Sequence, residues 1–378
     1  MYVLYSGKIG DISPLAKLKY LNWEIVFLAS LISSIGFLSL YSASGGDWYE
    51  WSHPQFLRYL FTLCIMFIVA LTDIKTWFKY AYVFYALVLG LLLIVEIKGH
   101  IGMGAQRWIK IGFFVIQPSE LMKPALVLVL ARYFNSLNLD RDRRLFLLIP
   151  PILLIILPVC LVLLQPNLGT AMLLILTSLA IFILAGFPLW KLIVCAVPIG
   201  AAIPIIWSKM HNYQKQRVLT FLDPENDPLG AGYNIIQSKI ALGSGGIFGK
   251  GFMNGTQGQL KFLPEKHTDF IFVIWAEEFG MIGATFLLLL FVALITYSYV
   301  LAFNCRHQFG RLASLGIGTT IFLYIIVNTS MVMGLIPAVG IPMPLVSYGG
   351  TAQLTIMICI GLLLSISLHR NSYISRGV

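Results

Sequence analysis

Charge is scarce in this chain. Lys, Arg, Asp and Glu make up only 11% of its 378 residues, too few for an ordinary water-soluble domain. Acidic residues are the scarcest, 16 against 26 basic, which leaves a net +10. The excess does not read as a nucleic-acid footprint, because the basic residues are scattered among loops rather than gathered in one patch. No nucleic-acid partner is expected. Cysteine is sparse as well: Cys64, Cys160, Cys195, Cys305 and Cys359 are isolated, with neither disulfide-framework nor metal spacing. Nucleotide motifs are missing. The glycines from Gly243 to Gly258 suggest a phosphate cradle, yet Gly251 follows Gly249-Lys250 where a P-loop needs Ser or Thr. Phe248 stands where the dinucleotide fingerprint needs its third glycine. No internal repeat is visible, which disfavours inverted-repeat transporters. No cleavable leader is evident either, and the run Ile25–Leu40 reads as an uncleaved first span.

Apolar residues fill the space that charge leaves, at 58% of the chain. A span needs about 20 of them in succession. By that measure about ten spans are expected, at roughly 25–43, 56–72, 80–96, 119–134, 145–164, 168–186, 189–208, 270–303, 311–333 and 350–368. The fold class is therefore an all-α integral membrane protein, a single polytopic domain over residues 1–378. The eighth run is too long for one crossing and should tilt or project. Lys and Arg collect in one set of short loops, at Lys17, Lys19, Lys75, Lys79, Arg143, Arg306, Arg311 and Arg370 among others. The positive-inside rule makes that face, and both termini, cytoplasmic. The polar stretch 209–269 between spans 7 and 8 then faces outward, away from cytoplasmic ATP.

That stretch is the main candidate for chemistry, because long loops held between packed elements are more often functional than filler. It supplies the cations Arg217 and Lys239, and the carboxylates Asp223, Glu225, Asp227 and Glu265. Its glycines are expected to allow tight turns and close backbone approach to a lipid headgroup. Asp269 is expected to open the eighth helix, where a first-turn carboxylate gains from the dipole. Glu277 and Glu278 lie too far along that helix to form a glycosidase couple with it, so Asp269 would act alone or with a metal. Arg107 alternates with apolar residues in an interfacial loop, and is either an anchor or a phosphate grip. Glu120 and Lys123, three apart in span 4, form a structural ion pair or touch substrate. Arg58 is a second intramembrane charge for which the sequence names no partner. Asn167 reads as a helix N-cap. Ser347 and Tyr348 belong to the charge-free segment Gly340–Thr351, which must re-enter against protein as a rigid turn or a groove wall.

The motifs GAQRW (Gly104–Trp108), QPSELMK (Gln117–Lys123) and YQKQRV (Tyr213–Val218) resemble the SEDS family of bacterial cell-wall polymerases. DPENDPLGAGYNIIQSKIALGSGG (Asp223–Gly246), LPEKHTDFIF (Leu263–Phe272), AEEFG (Ala276–Gly280) and PLVSYGGT (Pro344–Thr351) extend the likeness to the last span. The wording from Pro224 to Lys239 is similar to the elongation branch rather than the division branch. One departure is Asn167, where the family usually has Asp. The resemblance implies a peptidoglycan glycosyltransferase in the bacterial inner membrane that polymerises lipid II, with undecaprenyl pyrophosphate leaving. It further implies help from a divalent cation (Mg2+ or Mn2+), a class B penicillin-binding protein as partner, and a place in the elongation machinery. Asp269 matches the family's essential aspartate, as catalytic residue or metal ligand. Arg107, Glu120, Lys123, Arg217, Gln237, Lys239, Ser347 and Tyr348 are the expected substrate contacts, and Glu277, Glu278 and Asn167 the structural ones. A lipid II flippase and a non-catalytic scaffold remain open alternatives.

Overall fold

The computed structural model describes residues 14–102, 105–111, 114–137, 145–187, 208, 215, 219–221, 223, 231–256 and 265–374. The expected run 189–208, apart from Ser208, lies outside the described residues, as do Arg217, Glu225 and Asp227. Each other expected run coincides with a helix. They are α1 (Trp23–Ala43), α2 (His53–Leu71), α3 (Ile74–Lys98), α4 (Pro118–Ser136), α5 (Ile149–Leu164), α6 (Leu168–Leu184), α8 (Ile271–Asn304), α9 (Gln308–Val332) and α10 (Gly350–Leu368). A further helix, α7 (Ala231–Ser244), lies in the polar stretch. Among the described residues seven helical stretches are long and apolar enough to cross a membrane, α2 and α5 being counted with the turns that lead into them as Trp48–Leu71 and Phe146–Leu164, so the chain is a multi-pass membrane protein. α6 is apolar but shorter.

Burial separates an inner from an outer set. α9 and α10 are 78% buried over their most apolar windows, whereas α3, α5 and α8 are buried by 28%, 28% and 22%. The outer helices therefore show most of their apolar surface to lipid, and their sequences are apolar all round for that reason. α10 packs on α2, α8 on α9 and α1, and α4 against α3 and α9. This places α4, with its charges and Pro124, in the middle of the bundle, where neighbours can satisfy what the proline frees.

One expectation needs correcting. The fold is not purely α, because the loop after α3 carries a small sheet. His100–Gly102 (β1), Ala105–Ile111 (β2) and Phe114–Ile116 (β3) form a small antiparallel sheet in that order. Arg107 and Lys110 are three apart and Trp108 and Ile109 are adjacent, so strict period-two alternation is absent and no local strand signal marks this stretch. The eighth run is not one unbroken helix: α8 is broken at Gly280, where φ is 65° and ψ is −163°. That region of backbone space is essentially reserved for glycine.

The break is filled by the glycine run. Lys250 and Gly251 donate their N–H groups to the carbonyls of Glu277 and Glu278, at 3.1 and 2.9 Å. Met281 and Ile282 donate back to Gly246 and Ile247, at 2.9 and 3.2 Å. The carbonyls and amides freed by the broken helix are thus met by another backbone, as a membrane fold requires. The approach is so close that a Cβ on Gly249 would stand 2.1 Å from the Glu278 oxygen, and one on Gly280 only 2.3 Å from the Gly249 nitrogen. The close backbone approach of Gly249 is thus to the broken helix α8. Backbone strain and overpacking together should make Gly280→Ala destabilising by roughly 2–6 kcal/mol. Gly90→Ala, where a Cβ meets nothing within 4 Å, should be neutral or slightly stabilising. Thermal unfolding of the two purified variants checks the contrast, and equal midpoints would contradict it.

Candidate active site

The turn carrying Asp269 is held by its main chain. The His267 carbonyl accepts the Tyr348 N–H at 2.9 Å. The Thr268 carbonyl accepts the Ser347 hydroxyl at 2.6 Å, and the Asp269 carbonyl accepts the Asn328 amide at 2.9 Å. Three successive carbonyls are therefore pinned by α9 and by the charge-free segment before α10. That segment is itself braced. Ser347 Oγ accepts the Met343 N–H at 2.7 Å, and Asn328 also donates to Ile341. Gln55 from α2 donates to the Ser347 carbonyl at 3.1 Å and accepts the Gly349 N–H at 3.3 Å. Asp269 is half-buried, and its Oδ2 lies beside Gly340.

Asp269 does not open α8, contrary to expectation. The helix begins at Ile271 with Phe270 as N-cap and has no acidic residue in its first turn. The Asp269 carbonyl is taken by Asn328, and the Val273 N–H turns instead to Phe270 at 3.0 Å. The helix dipole therefore acts on this carboxylate less than a first-turn position would imply.

Aromatic and cationic side chains line the same end of the bundle. The His267 ring stacks on Trp51 at 4.7 Å and meets Tyr348 edge-on at 5.8 Å. Burial lowers the His267 pKa below the usual histidine range, with the Glu265 and Glu50 carboxylates opposing it. Arg58 finds its partner here, with its guanidinium carbon 4.5 Å from the centre of the Tyr348 ring. Arg58 is half-buried, and a cation over an aromatic face is worth about 0.5–2 kcal/mol depending on how far water is excluded.

About one helical turn below, α9 meets the charges of α4. Tyr324 lies four residues before Asn328 and so shares its helix face. Lys123 Nζ is 2.6 Å from Glu120 Oε1. The Tyr324 hydroxyl donates to Glu120 and accepts from Lys123. Lys123 is 2% exposed and Glu120 4%, so the pair is a buried ion pair with a phenol bridging it.

The other expected residues are spread more widely. Arg107 donates to the carbonyls of Gln165 and Pro166 between α5 and α6, which uses part of its fork structurally. Asn167 caps α6 by accepting the Thr170 N–H at 3.4 Å. Glu277 accepts from Lys250 at 2.7 Å and from the Thr256 N–H at 2.9 Å, and Glu278 accepts from Ser42. Both carboxylates sit at the Gly280 break. Gln237 and Lys239 lie on α7, where neighbouring Ser238 donates to the Val332 carbonyl at the end of α9. Lys239 is exposed and passes over Gly334. Among the described residues, no group of three or more His, Cys, Asp or Glu side chains converges on a metal position. A single carboxylate still suits Mg2+, which is usually held by one or two carboxylates plus substrate phosphates and water.

Comparison with known proteins agrees in sequence and in shape. The FtsW/RodA/SpoVE family, described as "cell cycle protein", matches residues 22–372. Peptidoglycan glycosyltransferase MrdB of Escherichia coli (strain K12) is 43% identical over 92% of this chain and 92% of its own. Stage V sporulation protein E of Bacillus subtilis (strain 168) is 32% identical over 91% of this chain and 96% of its own. A chain from a peptidoglycan synthase complex, solved for its coordination of polymerization and crosslinking, superposes with a TM-score of 0.80 at 31% identity. It covers 93% of this chain and 99% of that one. The rod shape determining protein RodA of Thermus thermophilus gives 0.71 at 27% identity, over 93% and 97%.

Removing one member of a buried ion pair costs about 3–5 kcal/mol, far more than replacing both by apolar or neutral groups. Lys123→Ala should therefore lower the membrane level or unfolding midpoint strongly, and Glu120→Gln with Lys123→Met should restore most of it. A double variant less stable than the single one would contradict a structural role for the pair.

Proposed function

The chain belongs to the FtsW/RodA/SpoVE family, and from that membership we propose that it is a peptidoglycan glycosyltransferase which polymerises lipid II during cell elongation. The observation that carries the reading is the Asp269 turn, with its three pinned carbonyls and half-buried carboxylate at one end of the bundle. A catalytic carboxylate needs a fixed position more than a particular environment. Here the fixing is done by main-chain bonds of the turn. Asp269 takes the proton from the acceptor sugar hydroxyl as that oxygen attacks the donor's anomeric carbon. The bond from that carbon to the pyrophosphate breaks, and undecaprenyl pyrophosphate leaves with the electron pair.

Negative charge grows on the pyrophosphate as this bond breaks, so a cation there lowers the transition state more than the ground state. Lys239, and Arg217 from the sequence, supply that charge from the polar stretch. When bound, Mg2+ or Mn2+ would be held by Asp269 and would neutralise pyrophosphate charge. The lysine and arginine distribution supports an inner-membrane orientation with both termini cytoplasmic and residues 209–269 outside. The ten-span count and the catalytic role of that stretch belong to the same reading. A class B penicillin-binding protein is the expected partner, since one superposable chain comes from a synthase complex that couples polymerization to crosslinking.

Asp269→Asn preserves the side-chain shape and every main-chain bond of the turn, so membrane levels should stay normal while polymer formation from lipid II falls to background. Near-normal polymerisation by this variant would remove Asp269 from the mechanism. Lys239→Ala should lower turnover about tenfold or more, because a charge-assisted contact is worth about 1.5–3 kcal/mol, while the penicillin-binding protein still co-purifies. Loss of turnover and partner together would favour the scaffold reading. Unchanged turnover would sink the electrostatic one.

A further inference from the structure

The linker from α1 to α2 is braced at several points. Its residues Trp48–Ser52 form one π-helical turn, a rare conformation that recurs at functional sites. Asp47 holds the turn by accepting the Tyr49 N–H at 2.8 Å, and Ser44 donates to the Asp47 carbonyl at 2.6 Å. Ser52 closes it by donating to the Phe37 carbonyl at 3.1 Å. The turn sets Trp51 on the His267 ring, with centres 4.7 Å apart and planes 14° from parallel. It also brings the Glu50 carboxylate within electrostatic reach of His267, which Glu265 approaches from the Asp269 turn. Thr268 fixes Glu265 by donating to its Oε2 at 3.0 Å. The two ring nitrogens of His267 differ. Nδ1 is buried and has no hydrogen-bond partner among the described residues. A proton there would be an orphaned donor, so the neutral ring carries it on Nε2, which is not buried.

Two residues from Asp269, the chain thus presents an N–H donor with two carboxylate acceptors near it, against a stacked pair of aromatic rings. Glu50 and Glu265 would repel a phosphate, and no metal position converges here among the described residues. Uncharged hydroxyl groups suit the arrangement, because each both donates and accepts. The electron-rich aromatic rings suit the C–H groups of a sugar. Interfacial anchoring accounts for the exposed Trp48 and Tyr49, but not for a stacked ring pair with carboxylates beside it. We propose that Glu50, Trp51, Glu265 and His267 form a sugar-binding subsite, which holds a ring of the glycan strand next to Asp269. The subsite rests on the polymerase reading above. It gives that reaction a place to keep its chain between additions, on side chains that the pyrophosphate does not use.

The test uses the full-length purified chain and N-acetylchitotetraose, an uncharged β-1,4 oligosaccharide that carries neither phosphate nor lipid. Saturation-transfer NMR in detergent should show saturable binding to wild type. His267→Phe keeps a ring to stack on Trp51 but loses the Nε2–H, and should weaken binding about two- to tenfold. Glu265→Gln keeps the side-chain shape but loses the charge, and should weaken it about tenfold or more. Both variants should keep the wild-type unfolding midpoint and make shorter strands from lipid II. No saturable binding by wild type, or binding equal to wild type by either variant, overturns the subsite. Polymerisation of lipid II is measured on the same wild-type sample. Polymer without saccharide binding sinks the subsite alone, and saccharide binding without polymer sinks the polymerase reading.

Discussion

Hydrocarbon offers no water, so every backbone group or charge that leaves a helix inside this bundle must be met by protein. The architecture around Asp269 follows from that constraint. Three departures from regular helix occur there: the Asp269 turn, the Gly280 break and the charge-free segment before α10. The main-chain groups freed at the turn and at the break are met by other parts of the chain. The charge-free segment pins the carbonyls of the turn, and the glycine run closes the break. Irregular backbone at membrane depth is tolerated only where it is buried in protein or lines a cavity. Here it is gathered around one carboxylate.

The charges obey the same rule. Glu120 and Lys123 neutralise each other and are bridged by Tyr324, and α9 carries that contact on the face that also presents Asn328 to Asp269. α9 thus links the ion pair of α4 to the Asp269 turn. A buried pair contributes little net stability over an apolar replacement, so its use here is better understood as fixing the relation of α4 to α9. Arg58 extends the arrangement to α2, where it lies over Tyr348 next to the residue that holds Thr268.

Composition and periodicity made the membrane class and the helices legible, because long apolar runs have few other uses. The Glu120–Lys123 pair was legible because a spacing of three is local. What escaped was tertiary. Arg58 meets Tyr348, Ser347 meets Thr268 and Gly249 meets Glu278 across long stretches of chain that no local spacing encodes. The start of α8 was misplaced for the same reason. His267-Thr268-Asp269 has the composition of a helix start, but its carbonyls are engaged by α9 and the charge-free segment instead of by the next turn. The strands of the small sheet, of three to seven residues, are too short for alternation to declare itself against an interfacial coil. The glycine run signalled close backbone approach without saying to what.

The central claim is that this chain makes glycan strands by itself, with its own carboxylate. The direct measurement is polymer length on a gel after the purified chain is incubated with lipid II, with and without the penicillin-binding protein. Strands should form from the chain alone and respond to the partner in rate or length. Polymer that appears only when the partner's own catalytic activity is intact, or lipid II that is merely moved across vesicle membranes, would contradict it.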